Sequence, residues 1–86
     1  MKIVRIAETE SEAVGLALDV IRKRHGWDQM RLSELMGIGQ ATVHRILNGK
    51  SDLRITQVHG VLTLDEFGEL FDALDQFQDR ARGEKS

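Results

Sequence analysis

Apolar residues recur along most of the chain at spacings of three and four, the period of helices that bury one face. Leu32, Leu35 and Met36 line one short segment, and Val43, Ile46 and Leu47 line the next. Between them stands Gly37-Ile38-Gly39. Gly37 can take the left-handed backbone that ends a helix without a Cβ penalty, and Ile38 can tuck into the angle between the two elements. The stretch from Gln29 to Gly49 therefore reads as two short helices crossing steeply about a tight turn.

The flanking segments follow from similar signals. Thr9 and Glu12 form a T-x-x-E capping box, which predicts a helix carrying Val14, Ala17, Leu18 and Ile21 on one stripe and stopping at Gly26. Its last turn is Arg22-Lys23-Arg24-His25. Cations there suit the carbonyl end of the helix dipole and would equally suit a phosphate, so the cluster has two explanations. Asp28 caps the next helix, and Trp27 can staple onto Leu32. The single tryptophan is read as core, because no neighbouring aromatic builds a stacking surface with it. Ile38 and Val43 repeat the staple, and Asn48-Gly49 closes the second short helix.

Period-two signals occur twice. Met1–Ile6 is β-branched and alternating, as is Leu53–Leu62, so a two-stranded sheet of residues 2–6 and 53–61 is expected, within one subunit or across a dimer. A short helix around Ile55 to His59 is the alternative for the second segment. Thr63 and Glu66 then make a second capping box, with Leu62 and Phe67 as its staple. The final helix carries Leu64, Phe67, Leu70, Phe71, Leu74 and Phe77 on one face and Asp65, Glu69, Asp72, Asp75 and Asp79 on the other. That apolar stripe exceeds what a bundle of this size needs. Leu64, Phe67, Phe71, Leu74 and Phe77 are therefore assigned to a homodimer interface, with completion of the monomer core as the alternative. The expected fold is mainly α: a compact helical bundle around a central helix-turn-helix. Residues 1–80 would form one domain with a C-terminal dimerisation helix, and residues 81–86 a flexible tail.

Composition narrows the chemistry. A chain of 86 residues lies near the size where one core is only just sufficient, which also favours pairing of copies. It has no cysteine, so disulfides and thiolate metal sites are excluded. No apolar run approaches the roughly 18 residues of a membrane span and no signal-peptide core is present, so a cytoplasmic location is expected. His25, His44 and His59 belong to no ligand-like constellation, no serine stands in a nucleophile context, and Gly37-x-Gly39 is too short for a phosphate loop. Neither catalysis nor a metal or other cofactor is expected.

The net charge of −2 becomes informative once divided. Residues 1–21 hold two Lys/Arg against four Asp/Glu, residues 22–54 seven against three, and residues 55–86 three against seven. Positive charge thus gathers on the two short helices and their flanks, where local potential can steer a polyanion. With Val43, Ile46 and Leu47 turned inward, the second short helix presents Gln40, Ala41, His44, Arg45 and Asn48. A glutamine amide can pair with adenine, a small side chain can meet a thymine methyl, and arginine can fork onto guanine or hold a phosphate. Lys50, Asn48 and Ser51 stand at the exit, placed for backbone phosphates. No acid occurs from Gln40 to Lys50, which favours DNA over the other reading, a solvated helix face.

Gln29 to Gly49 closely resembles the Cro/C1-type (XRE-type) helix-turn-helix family, and the resemblance extends over about residues 14–50. It implies a small residue at Ser33, the turn glycine at Gly37 and inward apolar residues at Val43 and Ile46. It further implies that Gln29 touches a phosphate and braces Gln40, which reads a base, and that Ala41, His44 and Arg45 read bases in the groove. The DNA-contacting set is then Gln29, Gln40, Ala41, Thr42, His44, Arg45, Asn48, Lys50 and Ser51. Two features depart from the family: Gly39 stands where a Ser, Thr or Asn commonly caps the second helix, and beyond Lys50 the usual fourth and fifth helices are not evident. The function implied is a dimeric, sequence-specific transcription regulator of the repressor type on a palindromic double-stranded operator. The alternative from another class is an antitoxin or antiactivator-type module that holds a protein partner.

Overall fold

The computed structural model describes residues 9–83 as five helices. They are α1 (Glu10–His25), α2 (Gln29–Met36), α3 (Gln40–Leu47), α4 (Ile55–Val58) and α5 (Leu64–Gly83). The strand expected at residues 2–6 lies outside the described residues.

The capping signals act as expected. The Thr9 hydroxyl accepts from the Glu12 N–H at 3.1 Å, and the Asp28 carboxylate from the Arg31 N–H at 2.7 Å. At α5 the box is reciprocal: the Glu66 N–H donates to Thr63 Oγ1 at 3.2 Å, while Glu66 Oε1 accepts from the Thr63 N–H at 2.9 Å. Gly26 and Gly37 end α1 and α2 in the left-handed region, at φ 75° and 70°. Each chain reversal thereby falls where a side chain or a glycine satisfies the helix end.

The strand expected over residues 53–61 is not formed; the alternative short helix is. Ile55–Val58 makes a helical turn, with the Arg54 N–H donating to Gln57 Oε1 at 3.0 Å and the His59 N–H to the Ile55 carbonyl at 2.9 Å. The apolar residues that alternate here also fall three and four apart, from Val58 to Val61 and Leu62. Tertiary burial selects that second period: Val58 is fully buried and Leu62 nearly so. Gly60, at φ 84°, then turns the chain toward α5.

The core draws Leu18 and Ile21 from α1, Leu32 and Met36 from α2, Val43, Ile46 and Leu47 from α3, Val58 from α4 and Leu70 from α5, with Leu62 between α4 and α5. Trp27 is half-buried against it, its ring stacked on His25 at 4.0 Å between centroids. Helices α1 and α5 run antiparallel. Arg24 and His25 at the end of α1 meet Glu69 and Glu66 near the start of α5, while Val14 early in α1 lines a groove with Leu74. The apolar stripe of α5 divides. Leu70 enters the core, Phe67, Leu74 and Phe77 are half-buried, and Phe71 and Leu64 remain 52% and 88% exposed.

Glycine permits one close crossing. A Cβ on Gly15 of α1 would lie 2.4 Å from the Ile46 carbonyl oxygen of α3. A Cβ on Gly49 would lie 2.2 Å from the Glu12 side chain, and Gly49 also needs its left-handed φ of 75°. The first helix is thus seated directly on the last turn of the third.

Candidate nucleic-acid interface

Helix α3 has two chemically distinct sides. Val43, Ile46 and Leu47 are buried with at most 3% exposure, which fixes the helix against α1 and α2. On the other side Gln40, Ala41, His44 and Arg45 are exposed, with Thr42 half-buried at their edge. The helix starts at Gly39 without a side-chain cap; the Thr42 and Val43 N–H groups both donate to the Gly39 carbonyl at 3.1 Å. Glycine at this position costs only about a few tenths of a kcal/mol relative to a capping side chain.

The polar groups of this face differ in their freedom. The Asn48 amide donates to the His44 carbonyl at 2.7 Å and lies 3.4 Å from His44 Nε2, so it serves first as a cap on the end of α3. Arg45 makes one long contact, 3.5 Å from Nη2 to Thr42 Oγ1, which leaves most of its guanidinium donors unsatisfied by protein. Lys50 is exposed just past the helix, its backbone N–H anchored on the Arg45 carbonyl at 2.8 Å. Ser51 is half-buried beside it. Gln29 opens α2 and is half-buried, and no hydrogen bond joins it to Gln40 among the described residues. Ser33 is buried and donates to the Met30 carbonyl at 2.7 Å, a small polar side chain satisfied within its own helix.

Electrostatics sort the basic segment into two groups. Arg22 is held by Asp19 at 2.7 Å and by the Trp27 carbonyl at 2.9 Å, and Lys23 reaches the same Asp19 at 3.2 Å. Arg24 forks onto both carboxylate oxygens of Glu69 at 2.8 and 2.7 Å, and His25 meets Glu66 at 2.5 Å. Every member of this cluster therefore has an acidic partner within the fold. Burial acts to raise the Asp19 carboxyl, but hydrogen bonds from Arg22 and Lys23 outweigh it and leave Asp19 below its ordinary range. The backbone N–H of Thr63 holds Glu66 low, opposed by burial and helped by His25, and the Arg24 fork does the same for Glu69.

Among the described residues, the cations of this segment left without an ion pair are Arg31, Arg45, Lys50 and Arg54, all exposed. In the sequence Arg31 and Arg54 contribute to the positive charge of residues 22–54 without a motif of their own. The i, i+3 and i, i+4 spacing of Arg22 and Lys23 from Asp19 was the signal that those two cations are spent. No such local cue marks Arg24 and His25, whose partners lie more than forty residues on.

Among the described residues no cluster of three or more His, Asp or Glu could hold a metal ion, and no helix is long and apolar enough to cross a membrane. No curated protein and no solved structure matches the chain at a significant level. Residues 20–59 match the family model described as Helix-turn-helix, a span from the second half of α1 to the residue after α4. That span includes the crossing of α2 and α3 and all four unpaired cations. Residues 20–59 therefore match a helix-turn-helix of the Cro/C1 (XRE) type, which supports a DNA-binding helix-turn-helix regulator.

Proposed function

We propose that this chain is a sequence-specific transcription regulator that binds a palindromic operator as a homodimer and represses from it. In this reading α3 enters the major groove, with Gln40, Ala41, Thr42, His44 and Arg45 toward the bases. Gln29, Lys50, Ser51 and the neighbouring Asn48 hold the phosphates that set its depth. One observation carries the proposal. The exposed side of α3 bears no acid and is flanked by cations without ion pairs, while its opposite side is locked into the core. A rigid helix whose outward groups are unsatisfied by protein suits a ligand that supplies acceptors and negative charge.

Dimerisation is assigned to the outward flank of α5. Leu64 and Phe71 stand two turns apart and are largely exposed, with Ile55 at 58% exposure lining the same groove as Phe71. Phe67, Leu74 and Phe77 would contribute their uncovered edges. The deciding experiment is selection of bound duplexes from a random pool. A two-fold-symmetric consensus with half-sites about 34 Å apart is expected; a pool that stays random would overturn sequence-specific binding.

A second reading draws on those exposed apolar residues. An antitoxin or antiactivator could use Leu64 and Phe71 to hold a protein partner. Duplex affinity that does not fall with salt would favour it, because no phosphates would then be neutralised.

A further inference from the structure

Between Asn48 and Gln57 the chain leaving α3 holds a single acid, Asp52, and it stands between two of the unpaired cations, Lys50 and Arg54. Residues 52–54 lie outside any helix, and Arg54 is extended at φ −97° and ψ 138°. On extended backbone side chains two apart share a face, so Asp52 is the natural local partner of its neighbouring cations. Yet among the described residues neither cation is ion-paired. The Asp52 carboxylate is turned instead to the first turn of α1, where it accepts from the Ser11 hydroxyl. We propose that Ser11 is a positioning residue for the DNA-binding face: by holding Asp52 it keeps Lys50 and Arg54 free for phosphates. The inference rests on the DNA-binding reading given above.

Ser11 is seated for this role independently of the bond it makes. Its neighbour Glu12 is packed on Gly49, where an added Cβ would come within 2.7 Å of the Glu12 Cα and 2.2 Å of its Cγ. The first turn of α1 thus rests on the exit of α3, shortly before Asp52. Glu10 lines the same cleft as Ser11 and Asp52. Without the hydroxyl donor two carboxylates would share that cleft, and like charge would drive Asp52 toward the cations beside it. Asp52 is exposed, so burial does not hold it in place. An exposed ion pair adds little to stability. A cation engaged by Asp52 is nevertheless withheld from the duplex, and with it the release of a counterion.

Ser11→Ala, Asp52→Asn and the double variant form a cycle in which affinity for a mixed-sequence duplex is measured against salt. Ser11→Ala alone should reduce the slope of log K against log salt by up to about 0.9, the share of one phosphate. Ser11→Thr, which keeps the hydroxyl, should retain the parent slope. In the Asp52→Asn background the hydroxyl can still donate to the amide oxygen but no charge is left to withhold a cation. Adding Ser11→Ala there should leave the slope unchanged. An equal loss in both backgrounds would mean that the bond only orders the loop, and would overturn the charge-positioning role, as would a parent slope in Ser11→Ala itself. In the free protein, NMR should show the Asp52 carboxyl carbon shifting on Ser11→Ala; an unmoved resonance would overturn the tie whether or not duplex is bound. A parent protein whose duplex affinity is indifferent to salt would instead overturn the DNA-binding reading, and this role for Ser11 with it.

Discussion

Two glycine-to-alanine substitutions in helices of this protein should change stability in opposite directions. In an open helix position, replacing Gly by Ala gains about 0.8–1 kcal/mol, because the backbone loses less freedom on folding. Gly68 in α5 is such a position, since an added Cβ meets nothing within 4 Å. Gly15 in α1 is not. Its Cβ would stand 2.4 Å from the Ile46 carbonyl oxygen, 3.1 Å from that of Leu47 and 3.3 Å from the Leu47 carbonyl carbon, all backbone atoms of α3. A carbon and a carbonyl oxygen settle at about 3.3–3.6 Å. The two helices must therefore separate by roughly 1 Å, and overpacking of this kind costs about 1–3 kcal/mol. Set against the propensity gain, Gly15→Ala should destabilise by up to about 2 kcal/mol, a fall in Tm of up to about 15 °C for a domain of this size, whereas Gly68→Ala should raise Tm by about 4 °C. Circular-dichroism melts of the two variants beside the parent measure both. The displaced turn bears Arg45 and leads to Lys50, so Gly15→Ala should also weaken duplex binding well below its melting temperature. Equal stabilisation by both substitutions would refute the close crossing of α1 on α3.

Arg24→Ala should leave the salt dependence of duplex binding unchanged, because that guanidinium is already forked onto Glu69; Arg31→Ala or Lys50→Ala should each reduce the slope of log K against log salt by about 0.9. Gln40→Ala is expected to lose about 1–3 kcal/mol of discrimination at a single base pair, read by competition between operator variants, while Lys50→Ala weakens all sequences alike. Glu66, Glu69 and Asp19 all titrate below their ordinary values in the fold, so the stability they contribute is complete above the unfolded carboxyl range and is lost as pH falls through the lower folded values. Melting temperature should accordingly drop below about pH 5. Glu66→Gln, which can still accept from the Thr63 N–H, should flatten part of that drop without removing the α5 cap. Phe71→Glu should lower the dimer fraction in sedimentation while the monomer stays folded, since Phe71 is already half in solvent.

What was legible in the chain was whatever is decided within a few residues. The caps at Thr9, Asp28 and Thr63 lie three residues from the groups they bind, and the stops at Gly26 and Gly37 are single-residue conformations. The inward side of α3 follows from spacing alone, and with it the exposed set Gln40, Ala41, His44 and Arg45. Residues 53–61 failed for a tertiary reason. Ile55, Val58 and Val61 fit a helical turn as well as their neighbours fit alternation, and only the cavity that takes Val58 chooses between them. The importance of Gly15 was hidden likewise: a glycine inside a helix is ordinarily a small liability, and its use appears only when the backbone of α3 is set against it.

The same division by range explains the charges, and it sharpens where binding should be sought. Seven cations between residues 22 and 54 looked like one basic patch. Asp19 removes Arg22 and Lys23 from it at helical spacing, but Glu69 removes Arg24 through a contact that exists only because α5 returns antiparallel along α1. The end of α1 is consequently a neutralised joint between helices. An exposed ion pair of this kind contributes about 0–1 kcal/mol to stability. Its larger effect is on the field, because pairing Arg22, Lys23 and Arg24 with carboxylates leaves the unpaired cations at Arg31, Arg45, Lys50 and Arg54. Two of these bracket the end of α3. A polyanion is then drawn to the helix whose outward face bears no acid, and the acidic α5 repels it from the rest of the molecule.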